Sequence, residues 1–251
     1  MTSPPSVVRP ASPGFRFGPI FTNAWSVYTA NFLTFTAVAI VIGLPNLIEA
    51  DPQTTAGAVL LALAGIAGLI LEFVGLAVIL YGAFQVMRGR DIVILDVIRH
   101  VAPRFLAIIA VAFLLGIALL LGLMLFVLPA IVLATRWVVA LPTCVVEGLG
   151  PFDSFRRSAE LTEDHRWRIF GLLVVALLLL IGATLLVDIA SEWIVSLAPA
   201  GIVHWLVENI IDSVAVAIYT AYFNIVLVII YRDLRIAKDG VDTEQIASVF
   251  D

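Results

Sequence analysis

Six long apolar blocks divide this chain, and the basic residues between them fall almost entirely into alternate gaps. The blocks lie at about 32–48, 57–86, 105–126, 130–146, 169–187 and 210–231. A helix needs about 20 apolar residues to cross the hydrocarbon of a bilayer, and a span in lipid must satisfy its own backbone polar groups. An all-α integral membrane protein of six spans is therefore expected. Composition agrees: 62% of residues are hydrophobic and 13% charged, against about 45–50% and about 25% in soluble domains. Cys144 is the sole cysteine, which excludes an intramolecular disulfide and a cysteine metal cluster within one chain.

Charge sets the predicted topology. Arg9 and Arg16, then Arg88, Arg90, Arg99 and Arg104, then Arg156, Arg157, Arg166 and Arg168, and finally Arg232, Arg235 and Lys238 all fall on one side. The opposite loops hold Glu49, Asp51, Asp188, Glu192 and Glu208. The positive-inside rule places both termini in the cytoplasm. Residues 1–14, rich in Pro and Ser without an apolar core, read as a disordered cytoplasmic tail rather than a signal peptide. Residues 232–251 read as a second cytoplasmic tail.

The blocks differ in length. The first is short and closed by Pro45, whereas 57–86 would be about 45 Å long and must tilt or protrude. Val127-Leu128-Pro129 leaves two readings open: a tight hairpin into a new span at Ala130, or one kinked helix about twice the membrane thickness. The hairpin is preferred on length. Residues 188–209, with Trp193 and Trp205, read as an interfacial segment. Three times a polar amphipathic segment leads into a pair of spans: from Pro19, from Ile92 and from Pro151. The first would bury Phe17, Ile20, Ala24, Val27 and Phe32 on one face, leaving Trp25 and Tyr28 for the headgroup layer. In the third, Phe152, Phe155, Ala159 and Thr162 share a face. The pattern suggests three helix-plus-hairpin units, although apolar segments also resemble one another by composition alone.

The stretch RWVVALPTCVVEGLGPFDSFRRSAELTEDHRWRIFGLL, with YRDLRIAKDGVD near the end, resembles the membrane domain of glycerophosphoryl diester phosphodiesterases and its stand-alone bacterial inner-membrane relatives. The likeness rests on Arg136, Trp137, Glu147, Gly148, Pro151, Arg157, Ser158, Leu161, Thr162 and Trp167, then Asp233, Leu234, Arg235, Gly240 and Asp242. FGPIFTNAWSVYTANF fits more loosely. Glu163-Asp164 depart from the small residue expected before HRW. The resemblance implies a bundle of about six helices in a bacterial inner membrane. No segment offers the acidic and histidine residues of a phosphodiesterase barrel, so catalysis does not transfer.

Glu72 and Arg136 are charges inside predicted spans, each costing about 2.5–3.5 kcal/mol at mid-membrane. They are read as a site for an ion or headgroup, or as a structural pair, with snorkelling open to Arg136. Ser213, Thr220 and Asn224 form a polar stripe with Asp212 and Tyr219 beside it, fit to line a path or to bond neighbouring helices. Arg156, Arg157, Arg166, Trp167 and Arg168 suit an anionic headgroup, or plain anchoring at the interface. His100, His165 and His204 are dispersed, and HExxH, GxSxG and P-loop spacings are absent. No catalytic residue, metal, cofactor or nucleic-acid partner is expected. Three functions are weighed: a non-catalytic module binding phospholipid, a membrane-protein partner or a second copy; a transporter or export component; and a lipid-modifying enzyme.

Overall fold

The computed structural model describes residues 17–48, 50–90, 92–196 and 202–239. The expected tail over 1–14 and the last twelve residues lie outside these, as does the side chain of Asp212. The described residues are helical throughout: α1 (Phe17–Ala30), α2 (Phe32–Gly43), α3 (Thr55–Met87), α4 (Ile94–Val101), α5 (Phe105–Leu125), α6 (Val127–Trp137), α7 (Ala140–Glu147), α8 (Pro151–Thr162), α9 (Arg166–Ser196) and α10 (Ile202–Asp239), with two short 3-10 turns at Leu44–Leu47 and Ala102–Arg104. Five helical stretches are long and apolar enough to cross a membrane, six if α1 and α2 together count as one broken span. Short helix α4 precedes α5 and the α6–α7 stretch, and short helix α8 precedes α9 and α10.

The first span departs most from expectation. Its α-helix stops at Gly43, and α1 meets α2 at 88°. Twelve residues of helix rise only about 18 Å, less than the thickness of the hydrocarbon. The corner is held by the Tyr28 and Thr36 hydroxyls, hydrogen-bonded at 2.9 Å, and by the edge of Tyr28 on Phe32. Ile20, Ala24 and Tyr28 are the buried face of α1, and Trp25 stays exposed. Tyr28 thus belongs to the core rather than to a headgroup layer.

The connection before the fourth span is a hairpin. Phe126 alone is extended (φ -174°, ψ 160°), and α5 and α6 pack side by side on either side of it. Closeness requires Gly122, because a Cβ there would lie 3.0 Å from the Ala130 Cα. Pro129 sits in the first turn of α6, where its missing N–H costs nothing. The turn is therefore Phe126 alone, and Val127, Leu128 and Pro129, read as the turn, begin α6.

Two segments outside the expected spans are largely helical. α9 continues to Ser196 and α10 begins at Ile202, so most of the segment over 188–209 is helix. α10 also runs on to Asp239, so the first eight residues of the expected tail are its last turns, with Leu234 fully buried. The core lies where α3, α7 and α10 converge on α2 and α5, around Ile79, Leu80, Ile108, Ile225, Ile229 and Tyr231.

Candidate headgroup site

α8 is short, polar and oriented by its hydroxyls. Gly150 precedes Pro151 at the first helical position, and Asp153 occupies the first turn, where a helix favours an anion. The buried side is Ser154, Ser158, Leu161 and Thr162, all within 1% of full burial. Of the predicted face, Thr162 is buried and Phe155 packs inward, but Phe152 is 79% exposed, because the helix is turned so that its hydroxyls face inward. The reason is a break between α6 and α7, which leaves the Arg136 carbonyl without a helical donor. Ser158 Oγ donates to it at 3.0 Å and Thr162 Oγ1 at 3.1 Å. Two polar side chains thus clamp α8 to the end of α6, and Phe155 packs on Trp137 with ring centroids 4.9 Å apart.

Beside that clamp is an open cavity of about 340 Å³. Trp137, Phe155 and Ala159 form its apolar part, and Arg136, Arg156 and Arg166 bring three cationic groups to its wall. Glu160 and Glu163 also border it, but each faces a cation of its own. Arg156 lies 3.2 Å from Asp153 and 3.8 Å from Glu160, while Glu163 is 3.7 Å from Lys238. Among the described residues neither Arg136 nor Arg166 has an ion-pair partner, and the Arg166 Nε is buried without an acceptor. A buried N–H left unpaired costs about 1–3 kcal/mol.

The predicted headgroup residues separate into three groups. Arg156 and Arg166 join the cavity; Trp167 and Arg168 are exposed on the first turn of α9 outside its lining. Arg157 is committed elsewhere. Its Nε donates to Glu147 at 3.2 Å and its Nη2 pairs with Asp239, while Tyr231 donates its hydroxyl to Glu147 at 2.8 Å. Burial would lower the Arg157 pKa, but Asp239 and Glu147 outweigh it and hold the guanidinium above its usual range. This node ties the ends of α7, α8 and α10 together. Lys238 adds a further tie, 3.2 Å from Asp164 in the α8–α9 turn, which gives the acidic pair at 163–164 a partner in α10.

Glu72 and Arg136 do not pair. Arg136 borders the cavity at α8, whereas Glu72 borders a separate cavity of about 450 Å³ between α2, α3 and α10. Ser213 and Thr220 of the polar stripe line that second cavity with it. Tyr219 turns to the opposite side of α10, into an apolar cavity of about 690 Å³ against α9, and Asn224 Nδ2 donates to the Thr220 carbonyl at 2.8 Å. The stripe is therefore split between two sides of α10. Among the described residues no three His, Cys, Asp or Glu side chains come together as a metal site.

Long apolar helices around a polar, arginine-rich end define a multi-pass helical membrane protein. Residues 108–237, just over half of the chain, match the model of the family described as the membrane domain of glycerophosphoryl diester phosphodiesterase. The chain belongs to that family. The matched stretch runs from α5 into the last turns of α10 and contains the cavity at α8; the looser N-terminal motif lies outside it. No curated protein and no solved structure matches the chain.

Proposed function

We propose that the protein is a non-catalytic membrane module that holds the headgroup of an anionic phospholipid in the cavity at α8. One observation carries the reading: Arg136 and Arg166, both without an ion-pair partner among the described residues, meet Arg156 around a cavity with an aromatic floor. The arginines receive the phosphate, Trp137 and Phe155 receive the glycerol backbone, and the acyl chains follow α6 and α9 into the bilayer. Arginine is suited to phosphate through its planar fork of donors. The positive-inside rule supports a cytoplasmic location for this end and both termini.

Native mass spectrometry of the protein released from phosphatidylglycerol/phosphatidylethanolamine nanodiscs tests the proposal. Enrichment of phosphatidylglycerol over the bulk ratio is expected. Each of Arg136→Gln and Arg166→Gln should reduce it roughly fivefold, from about 1 kcal/mol per arginine near an anionic leaflet. Arg168→Gln should leave it near the wild-type value. Bound lipid at the bulk ratio in the wild type would defeat the reading.

A further inference from the structure

The second cavity has different chemistry. Glu72 sits near the middle of α3 (Thr55–Met87), about 25 Å from either end at ~1.5 Å per residue. It has no hydrogen bond or ion pair among the described residues, although a carboxylate at that depth is costly unless something neutralises it. The cavity it borders also carries Ser213, Thr220 and Asn209, which supply oxygen ligands. The space beside Gly43 and Gly65 is open, since a Cβ built on either would meet nothing within 4 Å.

From Glu72 the cavity's lining runs toward Leu47, Gly65 and Asn209, at the end of the bundle opposite the arginines. Toward the arginine-rich end the way is closed by packed apolar side chains, among them Ile79, Leu80 and Ala83 of α3 and Ile225, Val228 and Ile229 of α10, each fully buried. Among the described residues this end carries Asp51 in the turn before α3 and Asp188 and Glu192 in the last turns of α9, with no Lys or Arg beside them. Clefts lined by one sign of charge concentrate the opposite ion.

We propose that this cavity is a half-channel in which Glu72, with the hydroxyls of Ser213 and Thr220, binds a small monovalent cation entering from the acidic face. The site is separate from the α8 cavity, so either assignment can fail alone.

Cysteine accessibility in the full-length chain, reconstituted in vesicles on a Cys144→Ala background, tests it. Ser213→Cys and, as a second position on the same wall, Val216→Cys are exposed to membrane-impermeant methanethiosulfonates, one cationic and one anionic, added from either side. The cationic reagent should react roughly tenfold faster than the anionic one, and only from the acidic face. Adding Glu72→Gln should bring the two rates together. At constant ionic strength set with N-methylglucamine chloride, sodium, potassium or methylammonium chloride should slow the cationic reagent, and whichever does identifies the occupant. Equal rates for the two reagents, entry from the arginine face, no reaction at either position, or no protection by any of the three cations would each overturn the assignment.

Discussion

Removing the Tyr231 hydroxyl tests whether the polar node at the arginine-rich end holds the bundle together. Tyr231 is fully buried, and its O–H reaches a Glu147 carboxylate whose side chain is 17% exposed and which also faces Arg157. A hydrogen bond to a charged group contributes about 1.5–3 kcal/mol. Tyr231→Phe deletes the donor without opening a cavity, so it should cost about that much. Glu147→Gln keeps the shape but halves the compensation of Arg157, which retains Asp239. Because the two residues touch, the double variant should cost less than the sum, with a coupling of about 1–2 kcal/mol, roughly a five- to thirtyfold change in the folding equilibrium. The assay is reversible unfolding in dodecylmaltoside micelles titrated with dodecyl sulfate, followed by tryptophan fluorescence. Arg156→Gln with Glu147→Gln is the control: Arg156 pairs with Asp153 and Glu160 instead and should be additive. A Tyr231–Glu147 coupling below about 0.5 kcal/mol would refute the node as a structural element.

The same unfolding titration checks two glycines. Gly148 has φ +71°, and a Cβ there would lie 2.7 Å from the Arg104 Nη2, so Gly148→Ala should destabilise by at least about 1–2 kcal/mol through the left-handed backbone alone. At Gly75 a Cβ would fall 2.2 Å from the Ile42 Cδ1. Gly75→Ala should cost about 1–3 kcal/mol from overpacking, and Ile42→Ala in the same chain should recover part of it. Ser158→Ala combined with Thr162→Val removes both donors from the Arg136 carbonyl, at a cost of about 1–3 kcal/mol. It should also lower phosphatidylglycerol enrichment in native mass spectra, because the turn that presents Arg136 loses its clamp.

Hydropathy made the spans legible because it measures where the chain meets lipid. It does not measure where a helix stops. α9 and α10 extend past their apolar centres, since backbone hydrogen bonding continues wherever the side chains allow it. The right angle between α1 and α2 had no signal in hydropathy; it depends on a hydroxyl pair, Tyr28 and Thr36, eight residues apart. Pro129 drew attention to the hairpin, but the closeness comes from Gly122 facing Ala130, a contact between helices that a local reading does not contain.

The site was legible in its parts and not in its grouping. Arg156 and Arg166 stood out as cations beside a span, and Arg136 as a charge within one. Their meeting depends on α8 presenting Ser158 and Thr162 inward, against the usual expectation that an amphipathic helix buries its aromatic side. A signal was present: Ser154, Ser158 and Thr162 recur at helical spacing. In α8 that spacing is overlaid by Phe152 and Phe155, whose apolar bulk dominates a hydropathy pattern. The pairing considered for Glu72 and Arg136 failed for a related reason. Each charge had a polar environment nearer to hand: Arg136 in the opening left by the α6–α7 break, Glu72 among the hydroxyls of α10. Opposite charges in apolar segments need neutralisation, but they need not neutralise one another. Two separate cavities of opposite character, one facing each end of the bundle, follow from that difference.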